Sequence, residues 1–153
     1  MLNLISADKI LDASFETFVG RTHLFDVLGQ RRFKSTGFEH WVQTEMIIAL
    51  TDRNYSVTTE RKVRKECDLI IDNSTYLEIR VATTSDARNK GKSWLIDSME
   101  VHPGANMYLF VSPMTQELRN QLTSYCENHN ISFKEKHLDE TWSVMVASRI
   151  SLY

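Results

Sequence analysis

The chain has 153 residues, of which 42% are hydrophobic and 25% are charged, a composition typical of a single globular domain. Its five glycines and two prolines exclude a collagen-like chain, and no apolar run is long enough to cross a membrane. The first residues lack the basic and then apolar pattern of a secretory signal, so we expect a cytoplasmic protein without membrane association. Cys67 and Cys126 have neither ligand nor redox spacing, and we expect both to be buried, reduced thiols.

The net charge of -2 is unevenly distributed along the chain. Residues 61–92 carry eight lysines and arginines against five acidic residues, so the remainder is acidic. Within this segment Lys90 and Lys92 flank a glycine in a polar loop, a pattern that suits contacts with backbone phosphates. A solvated strand and loop without a ligand explain the charge equally well, so the charge alone assigns no partner.

The N-terminal third of the chain is predicted to be helical. Apolar residues at helical spacing extend over residues 7–29, and Gly20 is the point at which two helices would divide. A further helix is predicted over residues 37–51, where Thr36 and Glu39 have the spacing of a capping box.

One carboxylate is directed inward by this further helix. The apolar stripe consists of Phe38, Trp41, Val42 and Ala49. Glu45 falls on the same stripe, whereas Glu39 is expected on the flank. Because an isolated buried carboxylate is costly, Glu45 is expected to have a partner in the sheet.

A β-hairpin is the clearest pattern in the sequence. A strand begins at Tyr55, and residues 65–84 (KECDLIIDNSTYLEIRVATT) then alternate at a period of two on both sides of a polar turn. The alternation gives each strand one apolar face. These sets are Cys67, Leu69 and Ile71 on the first strand, and Leu77, Ile79 and Val81 on the second.

The register of this hairpin brings two acids together. A three-residue loop at 72–74 pairs Ile71 with Thr75, which places Asp68 opposite Glu78 with about 4.5–5.5 Å between their Cβ atoms. Two such acids repel each other, so a cation, a shared proton or Arg80 on the same face must offset them. Mg²⁺ does so most completely, because it binds through one or two carboxylates, water and phosphate. Without a third acid, these residues would be ordinary solvated positions of a hairpin.

The rest of the chain completes an α/β fold. A polar loop precedes a short helix at 94–101 and a buried strand at 107–111 (MYLFV). Ser112 and Pro113 have the order of an N-cap and first helical residue, and the helix that follows is expected to end near residues 128–130. Strands are predicted near 131–134 and 142–147. This order predicts one domain over residues 1–153, a three-layer α/β/α fold with a central mixed sheet.

The order of helix, strands and acids over roughly residues 36–112 resembles the PD-(D/E)XK, or restriction-endonuclease-like, nuclease superfamily. The similarity lies in Glu45 on a helix, Asp68 in CDLII, Glu78-Ile79-Arg80 in YLEIRV, and the buried strand MYLFV. It implies a restriction-endonuclease-like core. It also implies an endonuclease that depends on Mg²⁺ (or Mn²⁺) and hydrolyses phosphodiester bonds, in DNA rather than RNA.

The resemblance also implies roles for individual residues. Asp68 and Glu78 would bind the metal, and Glu45 would orient a ligand or water. Arg80 occupies the place where the family most often has lysine; its guanidinium stays protonated, so it is a poor base but can neutralise the attacked phosphate. Lys90 and Lys92 would bind the substrate backbone. A cut through both strands of a duplex requires two sites, which a homodimer would provide.

Other readings of the same residues remain open. Arg80 and the acidic balance fit a catalytically inactive nuclease-fold protein of the interaction or immunity type, and a toxin-like endoribonuclease would differ only in substrate. Glu60 and Glu66 are alternatives to Glu45 or Asp68 as metal ligands. The histidines have no ligand spacing and are expected at the surface or at helix ends, and no GxSxG motif supports a serine hydrolase.

Overall fold

The computed structural model describes residues 4–29, 34–59, 67–83 and 93–149. These ranges contain five helices: α1 (Ala7–Phe18), α2 (Thr22–Leu28), α3 (Lys34–Asp52), α4 (Ser93–Val101) and α5 (Gln116–Asn128). They also contain six strands: β1 (Val57–Thr59), β2 (Leu69–Ile71), β3 (Thr75–Val81), β4 (Met107–Pro113), β5 (Ser132–His137) and β6 (Trp142–Ser148). None of the helices in these ranges is both long and apolar enough to cross a membrane.

The strands form one mixed sheet in the order β1-β2-β3-β4-β6-β5. The pairs β1–β2, β2–β3, β4–β6 and β5–β6 are antiparallel, whereas β3 and β4 are parallel. The predicted mixed α/β class is therefore confirmed. A parallel pair needs a crossover connection, and the chain between β3 and β4 includes α4.

The sheet is covered on both faces, which explains why β4 reads as a continuous apolar run. Met107, Leu109 and Val111 belong to a core cluster that includes residues of α1, α2 and α3. Tyr108 and Phe110 point the other way, into a second cluster with residues of α4 and α5. Every residue of β4 is buried, as expected for a central strand between two hydrophobic layers.

The predicted division of the N-terminal helical segment is confirmed. α1 ends at Phe18, and Gly20 follows with a φ of +77°, a left-handed conformation that glycine adopts without a Cβ penalty. α2 then begins at Thr22. At the other end of α1, the Ser6 side chain caps the helix by accepting a hydrogen bond from the Lys9 N–H.

The predicted hairpin register is confirmed for the three residue pairs of β2 and β3. Ile71 pairs with Thr75 and Leu69 with Leu77, on either side of a turn in which Asp72 and Asn73 have φ values of 51° and 57°. Asp and Asn tolerate this left-handed conformation better than most residues, which suits them to the turn.

One face assignment in the hairpin was wrong. Cys67 packs in the second core cluster, whereas Leu69 and Ile71 belong to the first. The Asp68 N–H donates to Leu77 O at 2.9 Å, although the ladder pairs Leu77 with Leu69. Asp68 and Leu69 therefore both oppose Leu77, as in a β-bulge, and the alternation of faces is interrupted before Leu69. The prediction that Asp68 lies directly opposite Glu78 was wrong, because the extra residue shifts the register there.

Two predicted helix starts were wrong as well. α3 begins at Lys34, so Thr36 lies inside the helix and is not its N-cap. Ser112 and Pro113 continue β4, where they pair with Ser143 and Trp142 of β6. Pairing with β6 keeps Ser112 and Pro113 in strand β4, although their local sequence favours the start of a helix.

Thr115 is the N-cap of α5, because its side chain accepts a hydrogen bond from the Leu118 N–H at 3.2 Å. Replacing Thr115 by alanine should lower the free energy of unfolding by about 1 kcal/mol, measured by urea denaturation. Ser124→Ala, at an exposed site within α5, is the control and should cause no loss because alanine is the better helix former. Equal stability of Thr115→Ala and the wild type would contradict the capping assignment.

Candidate functional site

Asp68 and Glu78 lie together at the centre of the candidate site. Their exposed fractions are only 6% and 3%, and the two carboxyl groups are hydrogen-bonded to each other. Asp68 Oδ2 also accepts a hydrogen bond from the Ile79 N–H at 2.8 Å. The bulge at Asp68 and the register of β2 with β3 thus hold two acids side by side in the protein interior.

The electrostatic consequence appears at Glu78. Burial, followed by the nearby charge of Asp68, raises the pKa of Glu78 from 4.5 to about 8. Arg80 opposes this shift, whereas the charge of Glu39 adds to it, and so does the hydrogen bond that protonated Glu78 donates to Asp68. At neutral pH the Glu78 carboxyl therefore keeps a proton, which offsets the repulsion between the two acids.

Arg80 provides the positive charge of the site. It lies two residues beyond Glu78 on β3, with its Nε 3.6 Å from Glu78 Oε1 and its Nη1 3.7 Å from Glu39 Oε1. Among the described residues, the buried Nε atom has no hydrogen-bond partner. The guanidinium thus attracts two carboxyl groups that come from different elements.

The acid that α3 contributes is Glu39, and the prediction that Glu45 would do so is corrected here. Glu39, Val42, Met46 and Leu50 follow one another at helical spacing, and the three apolar members are fully buried in the first core cluster. Glu39 is therefore the polar first member of the stripe that faces the sheet. The signal was present in the sequence, because Met46 and Leu50 shift the centre of the stripe away from Glu45.

Glu45 lies in a different environment. Arg21 donates to it from Nη1 and Nη2, at 3.2 Å and 3.4 Å, and Glu45 also lines a shallow groove between α1 and α3. Glu39 and Glu45 are six residues apart, or about 9 Å along the helix axis and about 120° around it. One helix cannot direct both carboxylates to the same point, and Glu45 ties α3 to the N-terminal helices instead.

His102, at the end of α4, is a residue that sequence reasoning did not assign to the site. Its Nε2 lies 2.9 Å from Arg80 Nη2 and 3.5 Å from Glu78 Oε1. Burial and the charge of Arg80 lower the pKa of His102, which favours the neutral ring. His102 lies beside Arg80 only because the end of α4 packs near β3 in the folded chain. No local sequence pattern could therefore have predicted that His102 belongs to the site.

Several predicted site residues fall outside the described residues. These are Lys90 and Lys92, expected to bind substrate, and Glu60 and Glu66, named as alternative metal ligands. Cys67 and Cys126 are buried, as predicted, and neither of these described residues is in a disulfide.

The chemistry of the donors fits a hard divalent cation. Asp68 and Glu78 offer carboxyl oxygens side by side, and Glu78 holds its proton first because it is buried and second because of the nearby charge of Asp68. In the described ranges no group of three or more His, Cys, Asp and Glu side chains is arranged to hold a metal. Mg²⁺ needs fewer, because it commonly binds through one or two carboxylates and completes its shell with water and phosphate.

Comparison of the chain with protein-family models, with curated proteins and with solved structures finds no match.

Glu78→Gln should stabilise the metal-free protein at alkaline pH. Because folding raises the pKa of Glu78 from 4.5 to about 8, the stabilisation by its proton is complete below pH 4.5 and is lost as the pH rises through about 8. Glutamine stays neutral throughout. In urea unfolding, Glu78→Gln should match the wild type near about pH 5 and exceed it by a few kcal/mol near about pH 9.

The control for this measurement is Glu140→Gln, at an exposed position. Its difference from the wild type should not change with pH. The same difference between Glu78→Gln and the wild type at both pH values would show that Glu78 does not carry a raised pKa.

Proposed function

We propose that this protein is a Mg²⁺- or Mn²⁺-dependent nuclease that hydrolyses phosphodiester bonds, with DNA as its substrate. The observation that carries the proposal is the buried pair of Asp68, which immediately precedes β2, and Glu78 on β3, with Arg80 beside them. Two neighbouring carboxylates suit a divalent cation, which would displace the proton from Glu78, and a phosphodiester is a substrate whose charge a cation and an arginine neutralise together.

The arrangement of the elements supports the same proposal. α3 precedes the antiparallel unit β1-β2-β3, α4 follows it, and β4 lies parallel to β3. Asp68 adjoins β2, and Glu78 and Arg80 lie on β3, which is the order that the resemblance to restriction-endonuclease-like proteins implies. With helical residues packed on both faces of the sheet, we infer a three-layer core of this type.

Each residue of the cluster has a role in the proposed reaction. Asp68 and Glu78 would hold the metal, which would lower the pKa of water and stabilise charge on the reacting phosphate. Arg80 would bind the phosphate with its fixed positive charge. Glu39, in place of Glu45, would be the helix acid, and its attraction for Arg80 would keep the guanidinium near the pair.

The distribution of basic residues supports a polyanionic substrate. Ten of the 18 lysines and arginines occur in three stretches that contain no acids, at residues 31–34, 61–65 and 88–92. In sequence, the first stretch runs into α3, the second ends three residues before Asp68, and the third lies in the connection from β3 to α4. The positive charge that phosphate contacts require is thus close in sequence to elements that carry the candidate site. A homodimer would supply the two sites needed to cut a duplex.

One observation favours a second candidate, a catalytically inactive nuclease-fold interaction protein. Arg80 lies within 3.7 Å of both Glu78 and Glu39, and Glu78 retains a proton, so the acids are largely compensated without any ion. In that case Arg80 would be a structural counter-ion. The two candidates differ in whether a divalent cation displaces the proton.

The nuclease proposal predicts divalent-dependent cleavage. The purified protein should cut DNA in Mg²⁺ or Mn²⁺ and not in EDTA, and Asp68→Asn should lower the rate by about 100-fold or more. Single-stranded DNA, duplex DNA and RNA should be assayed in parallel by gel electrophoresis. Asp97→Asn, at an exposed site on α4, is the matched control and should cleave like the wild type.

The remaining outcomes separate the alternatives. Cleavage of RNA alone would support the endoribonuclease. A wild-type protein as inert as Asp68→Asn on all three substrates would contradict the nuclease proposal and favour the interaction protein.

A further inference from the structure

The partners of the Arg80 guanidinium differ in how firmly they can orient it. Nη2 lies 2.9 Å from His102 Nε2, whereas the contacts with Glu78 and Glu39 are 3.6 Å and 3.7 Å long. Hydrogen bonds from nitrogen fall at about 2.7–3.2 Å, so of these three contacts only the one with His102 is a hydrogen bond. The carboxyl groups attract the charge but do not fix the direction of the guanidinium plane.

The hydrogen bond defines the state of the His102 ring. Arginine has only donors, so His102 Nε2 must be the acceptor, and the ring proton is then on Nδ1. A neutral ring in this tautomer adds no charge to the site. Its contribution is directional, because it holds one edge of the guanidinium in place.

The backbone at His102 is itself fixed. The Tyr108 hydroxyl lies 2.7 Å from His102 O, within reach to donate to it, and Arg149 Nε donates to that hydroxyl at 3.0 Å. Tyr108 is fully buried and pairs with Glu78 across β3 and β4. The same strand pair therefore sets the positions of both Glu78 and the residue that orients Arg80.

We propose that His102 is a positioning residue, which holds the Arg80 guanidinium beside the buried acids so that its remaining N–H groups are directed at the substrate phosphate. The Arg80 side chain is 25% exposed, so part of it stays accessible to a ligand. This inference rests on the proposed nuclease function, and it adds a residue outside the motif that the resemblance implies.

The first test is kinetic. His102→Leu removes the acceptor and should lower kcat for DNA cleavage by about 10- to 100-fold, with KM changed less than about threefold. His102→Gln, whose amide oxygen can accept from Arg80, should recover most of kcat. His129→Leu, at an exposed histidine at the end of α5, should leave both constants unchanged.

The second test needs no activity. ¹⁵N NMR of the metal-free protein should show hindered rotation of the Arg80 guanidinium in the wild type and in His102→Gln. The rotation should become free in His102→Leu, with Arg80→Lys used to assign the signals. Circular dichroism checks folding, and His102→Ala replaces His102→Leu if the latter does not fold.

The outcomes separate this inference from the function on which it rests. Suppose that the wild type cleaves DNA and that His102→Leu has the same kcat as the wild type, or the same Arg80 NMR signals. The positioning role is then overturned, and the nuclease proposal stands. If the wild type cleaves no nucleic acid, both are overturned. A loss of kcat that His102→Gln restores, together with freed Arg80 signals, supports the positioning role.

Discussion

The contact between the buried carboxyl groups of Asp68 and Glu78 is the interaction on which the rest of the site depends. Two acids in a poorly solvated interior cannot both carry a full charge without compensation. The fold supplies it as a proton on Glu78, an N–H from Ile79, and the guanidinium of Arg80. Stability alone does not require this arrangement, because apolar residues at the same positions would pack without the cost of burying charged groups.

The parts of the fold that local sequence determines were predictable. Alternating residues around a turn fixed the hairpin register, and the turn residues Asp72 and Asn73 adopt the conformation that they tolerate best. The buried strand β4 and the division near Gly20 followed from equally local patterns. The proximity of the two acids could be predicted from the sequence for the same reason, because Asp68 immediately precedes β2 and Glu78 lies on β3 of the same hairpin.

The remaining features depend on tertiary structure. A stripe of Phe38, Trp41, Val42 and Ala49 predicts that Glu45 points inward. In the fold, Met46 and Leu50 are buried as well, and the stripe that includes them carries Glu39 instead. The β4 strand continues through Pro113 because β6 pairs with it there. His102 reaches Arg80 only through the crossover from β3 to β4, a contact between residues far apart in sequence. Helical period and capping preference cannot choose among such alternatives until the packing partner is known.

The central claim is that the Asp68 and Glu78 pair is a cation site and not a self-compensated structural pair. Titration calorimetry of the metal-free protein with Mn²⁺ tests it most directly. The account predicts saturable binding that Glu78→Ala abolishes and that Glu45→Gln retains, because Glu45 is engaged with Arg21. No saturable binding to the wild type, or equal binding to Glu78→Ala, would contradict it.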